Sequence, residues 1–566
     1  MAPTYVLLKE HASHINYSLS NHQVSLIMSP DFDAIVVGAG FAGIRMLYLL
    51  RENGFRVRGI ERYNGLGGVW YANRYPGARC DSPQPFYQIQ DETLASGWTF
   101  SERFPEHGEI RDYFQYVDSK WNVSKDFDFG TTVVQASFND DFLWSISLSD
   151  GRCLTARWFI PAVGFASAPS LPAIRGIDQF EGELYHTGSW PLSGVSLKNK
   201  RVAVLGTGAS GAQVIASIAP EVKSLTVYRR TPVVVFPASP ESDKFSNPLA
   251  ASLTPEGSRA AFIRSPKSFT GLDYLFQDSE SVAIGSPLRD ILNTRLYKEG
   301  GLSLILGNFS DVLTNREANE QLYSSWAKLA RARIRDPIKR DILVPRTLPY
   351  PIGIKRPCSV DNYYDAFNRS NVDVVDMRKE ELTKITKNAI QSGSTKREFD
   401  VIICATGFEP LGTGLTRLNI TGKHGVDLAD VWKTRIISYL GMAVPGFPNM
   451  FYLCGPQGPT VKVNAPTTVE CQAQWILSTL KSLRKSHIDC CEPTLSASQG
   501  WVKKLNQQWN NSLYPKVNVW EARSSSGKSE PLWIEGVHKY HDYIQQCQAP
   551  DFRGFVELRL KPSASL

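Results

Sequence analysis

Twice in this chain an apolar, β-branched run leads straight into the pattern G-x-G-x-x-G and then into a helical periodicity. The first copy is Asp33-Ala34-Ile35-Val36-Val37-Gly38-Ala39-Gly40-Phe41-Ala42-Gly43, followed by Ile44, Met46, Leu47, Leu49 and Leu50 at helical spacing. A second strand-like run, Val57 to Ile60, ends at Glu61. Each glycine answers a different steric demand. Gly38 permits the tight turn, Gly40 lets the backbone approach a pyrophosphate, and Gly43 lets helix and strand pack closely. The phosphates then rest on unpaired N–H groups at the helix N-terminus. Glu61 stands 23 positions after Gly38, where a carboxylate accepts hydrogen bonds from ribose hydroxyls.

The second copy is Arg201-Val202-Ala203-Val204-Leu205-Gly206-Thr207-Gly208-Ala209-Ser210-Gly211, with Val214, Ile215 and Ile218 continuing a helix and a strand expected from Ser224 to Tyr228. The position 23 residues after Gly206 holds Arg229, and Arg230 follows. A carboxylate there would repel a 2′-phosphate, whereas a guanidinium binds one bidentately. The first unit therefore reads as the site of an unphosphorylated dinucleotide and the second as the site of NADPH. Together they predict a flavoprotein in which one unit holds FAD and the other presents the reductant. The fold class expected is α/β, with two dinucleotide-binding Rossmann-like domains and a helical insertion. Val401 to Cys404 followed by Ala405-Thr406-Gly407 reads as a strand near the domain crossover, and Trp158 to Gly164 as a looser copy of it.

Composition narrows the remaining classes. At 566 residues the chain has room for about three to four domain-sized units. With 42% hydrophobic and 21% charged residues it is neither disordered nor a small disulfide scaffold. No apolar run approaches the roughly 18 residues that cross a bilayer, so no integral membrane segment is expected. The net charge of +7 without long basic blocks offers nothing to nucleic acid. The nine cysteines show no C-x-x-C spacing, and the histidines show no metal-binding pattern. Buried thiols in a reducing compartment, no metal and a cytoplasmic location are the expectation.

Between the fingerprints lies Phe180-Glu181-Gly182-Glu183-Leu184-Tyr185-His186-Thr187-Gly188-Ser189-Trp190-Pro191. This fits F-x-G-x-x-x-H-x-x-x-W-P, and here the sequence resembles the type I Baeyer–Villiger monooxygenases. Two further blocks are similar to that family: Gly67-Gly68-Val69-Trp70-Tyr71-Ala72-Asn73-Arg74-Tyr75-Pro76-Gly77-Ala78-Arg79-Cys80-Asp81, and Gly353-Ile354-Lys355-Arg356-Pro357. The resemblance covers roughly residues 30–545. It implies that the first block runs over the flavin, with Val69, Trp70, Arg79, Asp81, Ser82 and Tyr87 in the cofactor site. It implies that Arg356 is the active-site arginine, with Asp81 as its partner, and that Lys355, Arg230 and Thr231 bind NADPH beside Gly206, Thr207, Gly208 and Gly211. His186 belongs, on the same resemblance, to a linker coupling NADPH binding to catalysis, and is not read as a proton-transfer residue. The chemistry implied is reduction of FAD by NADPH, reaction with O2, and attack of a C4a-peroxyflavin, stabilised by Arg356, on a ketone to give an ester or lactone. An apolar, bulky or cyclic ketone and a place in secondary metabolism are the expected setting.

The expected domain plan is an N-terminal extension over 1–30, a discontinuous FAD domain over 31–165 and 395–545, and an NADPH domain over 166–237 and 346–394. A helical insertion over 238–345 and a C-terminal tail over 546–566 complete it. The family's Ser-Trp-Tyr and Gly-Lys loop corresponds here to Ser512-Leu513-Tyr514 and Gly527-Lys528, with leucine where tryptophan is usual, which predicts an altered pocket. Gly455-Pro456-Gln457-Gly458 is expected beside the flavin. An N- or S-hydroxylating flavin-containing monooxygenase is the nearest alternative, against which Trp190-Pro191 and Lys355-Arg356 argue. A disulfide reductase is disfavoured by the missing C-x-x-C, and a flavin-binding protein without turnover remains open. Oligomeric state is not legible in the sequence.

Overall fold

The computed structural model describes residues 29–239, 254–277, 279–347, 349–460, 462–517, 529–548 and 552–558. The expected N-terminal extension lies almost wholly outside them. The first unit begins with β1 (Phe32–Val37), helix α1 (Phe41–Glu52) and β2 (Val57–Ile60), and continues through β3 (Phe127–Asp128), β4 (Val133–Phe138), β5 (Trp144–Leu148) and β6 (Cys153–Pro161). The second contains β7 (Glu183–His186), β8 (Arg201–Leu205), helix α2 (Ala209–Ile218), β9 (Ser224–Arg229), β10 (Val235–Phe236), β11 (Cys358–Ser359), β12 (Val372–Asp376), the antiparallel ladder β13 (Leu382–Ile385), β14 (Ala389–Ser392) and β15 (Thr395–Glu398), and β16 (Val401–Cys404). The chain then returns to the first unit with β17 (Ile420–Thr421), helix α3 (Ala465–Lys485), β18 (Cys490–Pro493) and β19 (Phe555–Leu558).

The first sheet has the order β17-β4-β5-β6-β1-β2-β3. Its parallel centre, β6-β1-β2, is the dinucleotide half, and the antiparallel meander β4-β5-β6 extends it. The second sheet, β12-β9-β8-β16-β7, is parallel throughout. β16 is buried from end to end, and β8 from Val202 to Leu205, as a sheet covered on both faces requires. α3 lies against α1, where buried Arg45 makes a bidentate contact with Glu470 at 2.8 and 2.9 Å. That pair ties the C-terminal half of the chain to the first fingerprint.

The boundary expected at 395 is corrected by strand pairing. β16 sits between β8 and β7, with Ile403 opposite Val204 and Tyr185, so the second unit runs through Cys404. The tail expected from 546 is corrected in part. β19 pairs with β18, Cys547 and Phe552 are buried, and the Phe555 ring lies 5.4 Å from Tyr439 and 5.9 Å from Trp475. The insertion is helical as expected, with helices at Pro255–Arg264, Ser286–Glu299, Arg316–Ala332 and Pro337–Leu343. Its base is closed by the parallel pair β10 and β11. Among the described residues no helix is long and apolar enough to cross a membrane, and no cluster of His, Cys, Asp and Glu could hold a metal ion.

Candidate active site

The two fingerprints share one steric solution. Gly38 has φ +108°, and a Cβ on it would lie 2.6 Å from the Ala162 carbonyl oxygen; Gly206 has φ +105°, and its Cβ would lie 2.5 Å from the Ala405 oxygen. Ala162-Val163-Gly164 and Ala405-Thr406-Gly407 are therefore structural counterparts, each following the strand that neighbours a fingerprint strand. A Cβ on Gly43 would meet the Gly38 oxygen at 1.7 Å, and one on Gly211 the Gly206 oxygen at 2.4 Å. In both units these close approaches pack helix onto turn.

Both helix N-termini are bare. Gly40 caps α1 and Gly208 caps α2, each without a side-chain cap bond, so the first-turn N–H groups have no hydroxyl or carboxylate of their own. A Cβ at Gly208 would meet nothing within 4 Å, which leaves open space where a pyrophosphate approaches. Glu61, buried at the end of β2, accepts hydrogen bonds from the Ala39 amide at 2.6 Å and the Tyr63 amide at 2.8 Å. Burial pushes its carboxyl pKa up, against the opposing pull of those amides. The carboxylate is thus locked to the fingerprint turn at the ribose position. These features fit two dinucleotides.

The 67–88 segment lies over the first fingerprint. A Cβ on Gly68 would stand 2.9 Å from the Gly40 Cα, and the short helix Val69–Ala72 follows. The Trp70 indole donates to the Tyr87 hydroxyl at 2.9 Å, and the Tyr87 ring stands edge-on to Phe41. Ser82 is buried, its amide on the Cys80 sulfur at 3.3 Å. Arg79, expected in the cofactor site, turns its side chain to the 102–106 loop. Its guanidinium is engaged by Glu102, by the Phe104 carbonyl and by Glu106, which makes it a strut to the neighbouring loop.

The same segment reaches the second unit. The Tyr75 hydroxyl donates to Gln213 of α2 at 2.7 Å, and the Gln213 amide donates to the Arg79 carbonyl at 2.8 Å. Gln213 is a joint residue that sequence reasoning missed, since a polar residue on an apolar helix carries no signal of its partner. At this junction Arg356 meets Asp81. Nε and Nη2 of the guanidinium donate to the two carboxylate oxygens, both at 2.8 Å, between residues 275 positions apart. Both side chains are about a quarter exposed, so the pair faces a semi-enclosed space. Two buried thiols flank it; burial pushes Cys80 up, and Cys358 up to about 12, so both stay protonated at neutral pH.

Around NADPH the placement is mixed. Arg230 is exposed at the end of β9, and the Thr207 hydroxyl donates to the Thr231 carbonyl at 3.3 Å, holding the Arg230-Thr231 turn beside the fingerprint. The Lys355 ammonium lies 5.0 Å from the Tyr350 ring centroid, and the Tyr350 hydroxyl donates to the Pro232 carbonyl. Lys355 and Arg230-Thr231 thus share a neighbourhood. The expected basic pair is corrected: Arg229 is 1% exposed and turned onto Asp376 at 3.0 Å. His186 accepts the Gly188 amide on Nδ1 at 2.9 Å, stands edge-on to Phe408, and has its pKa lowered by burial. It closes β7, opposite Cys404 of β16. Gln457 is buried and spent on the 436–438 segment, accepting from the Ser438 amide and hydroxyl and donating to the Ile436 carbonyl. Leu513 is buried, its amide on the Leu313 carbonyl at 3.2 Å; Gly527-Lys528 lie outside the described residues.

Comparison with known proteins now bears on this geometry. Residues 36–113 match the model of the NAD(P)-binding Rossmann-like domain. The FAD-binding monooxygenase lolF2 of Epichloe uncinata is 37% identical over 542 residues, covering 95% of this chain and 99% of that protein. Cyclopentanone 1,2-monooxygenase of Comamonas sp. is 36% identical over 527 residues, covering 92% of this chain and 95% of that protein. The solved structure of OTEMO in complex with FAD and NADP superposes with a TM-score of 0.88 at 32% identity, covering 94% of this chain and all of that one. Similarity at this level over nearly the full length, on a chain with two dinucleotide cradles joined at an arginine–aspartate pair, means that the chain belongs to the family of type I Baeyer–Villiger monooxygenases.

Proposed function

We propose that this protein is an FAD-dependent monooxygenase that uses NADPH and inserts one oxygen atom of O2 beside a ketone carbonyl, giving an ester or lactone. The observation that carries the reading is the bidentate Arg356–Asp81 pair at the junction of the two nucleotide units. Bound FAD, reduced by NADPH, supplies the activation of dioxygen that no side chain can provide.

The chain's own residues supply position and charge. Glu61 receives the ribose hydroxyls of FAD, and the bare N-termini of α1 and α2 receive the two pyrophosphates. Arg230, Thr231 and Lys355 hold the phosphorylated ribose of NADPH. Arg356 presents a fixed positive charge to the oxygen anion and to the carbonyl oxygen of the substrate as it gains charge, and it cannot lose its proton at working pH. Asp81 locks the guanidinium rotamer by binding it along one edge. Leu513 and the insertion shape the space a ketone enters, and a bulky or cyclic ketone of secondary metabolism is the substrate class proposed. Several relatives are fungal FAD-binding monooxygenases, which supports that setting.

Mass spectrometry of products from a ketone panel with NADPH and O2 tests the reading. Esters or lactones heavier by one oxygen are expected. N- or S-oxides without any ester would favour the hydroxylating alternative, and bound flavin that NADPH leaves oxidised would favour a protein without turnover. Arg230→Ala is expected to raise KM for NADPH about tenfold while leaving KM for NADH nearly unchanged, since one charged phosphate contact is lost. Equal effects on the two reductants would remove Arg230 from the phosphate site.

A further inference from the structure

β9 and β12 end side by side, with Arg229 opposite Asp376 in the parallel register. Arg229 is 1% exposed and donates through Nη2 to Asp376 at 3.0 Å; its Nε and Nη1 have no partner among the described residues. Two residues beyond the end of β12, Arg378 bonds the same carboxylate through Nε at 3.1 Å and Nη2 at 3.0 Å, while its side chain is about half exposed. One buried carboxylate therefore carries two guanidinium groups and stays ionised, because Arg378 and Arg229 hold its pKa below the usual range against the desolvation that opposes them. The neighbouring Glu380 is already taken by Arg397 at 2.6 Å and by the Ser392 hydroxyl at 2.7 Å, so it does not cancel the excess positive charge. Arg230, the residue after β9, adds a third guanidinium at the same strand ends.

We infer that Arg378 is a second ligand of the 2′-phosphate end of NADPH, reaching it from β12 as Arg230 does from β9, with Asp376 as the positioning residue that aims it. In parallel dinucleotide folds the adenosine ribose lies over the end of the second strand, which is β9 here, and the end of β12 is its immediate neighbour. A guanidinium has five N–H donors, and Asp376 takes the one on Nε and one of the two on Nη2, so both N–H groups of Nη1 remain for phosphate oxygens. Arg229 occupies the position at which sequence spacing puts the phosphate ligand, yet it is turned inward; its work passes outward through Asp376 to Arg378. The inference rests on the phosphate placement proposed above.

Calorimetric binding of 2′,5′-ADP and of 5′-AMP to the FAD-loaded enzyme separates the two claims without turnover. Arg378→Ala is expected to weaken 2′,5′-ADP about tenfold and leave 5′-AMP unchanged, with Arg378→Lys recovering part of the loss. If Arg378→Ala binds 2′,5′-ADP as the wild type does while Arg230→Ala is weakened, the assignment of Arg378 falls and the phosphate site stands. If neither variant is weakened, both fall. Equal weakening of 5′-AMP would show a structural role for Arg378 and overturn its assignment as a ligand.

Discussion

Arg356→Ala is expected to retain FAD and its reduction by NADPH while losing ester formation by about 10²- to 10³-fold, the usual cost of deleting one preorganised charge from an anion-stabilising site. The loss has two sources. The fixed positive charge disappears, and Asp81, freed from its bidentate partner, leaves a negative charge in the same quarter-exposed space where an oxygen anion must form. Oxygen consumption then runs to hydrogen peroxide. Stopped-flow reduction, peroxide yield and ester yield measured on one preparation check the split. Arg356→Lys restores the charge but not the two-point hold on Asp81, so a partial recovery is expected. Normal ester yield from Arg356→Ala would end its proposed role.

Gly43→Ala carries the largest expected structural effect. The added Cβ would stand 1.7 Å from the Gly38 carbonyl oxygen and 2.8 Å from its carbon, and neither is the end of a flexible side chain. Relief requires α1 to lift from β1, which costs about 3 kcal/mol or more of packing and widens the pyrophosphate turn. The variant is expected to purify with little bound flavin and a lower melting temperature, read by the flavin absorbance ratio and a thermal scan. Gly208→Ala is the contrast. Its Cβ meets nothing within 4 Å, so folding and flavin content are expected to persist while NADPH binding weakens. A Gly43→Ala protein with full flavin content would show that helix and turn are not packed this closely.

The fingerprints were legible because their information is local. A strand, a turn and a helix within thirty residues are specified by short-range sterics, and Gly38 and Gly206 duly take φ values above +100°. Resemblance to a family then pointed to Arg356 and Asp81, which no spacing rule could pair across 275 positions. Where a reading depended on the spatial neighbour of a segment, it went astray. Val401–Cys404 reads as an apolar strand of either unit, and only pairing with β8 and β7 assigns it. Arg79 and Arg229 both lie at positions suited to a nucleotide, yet carboxylates brought from Glu102, Glu106 and Asp376 claim them. Nothing at the level of sequence distinguishes a guanidinium with an internal partner from one offered to a ligand.

By itself, then, the sequence determined two nucleotide cradles, their glycine turns, the acid at Glu61 and the helical character of the insertion, all of them consequences of short-range periodicity and backbone sterics. Tertiary structure alone decided that the strand ending at Cys404 belongs to the second sheet and that residues 552–558 close onto β18. It also decided that Gln213 joins the units and that Arg356 and Asp81 meet in one ion pair where the units touch. The physical reason is that charge pairing and sheet order depend on distance in space, and distance along the chain carries no information about it once the separation exceeds a single βαβ unit.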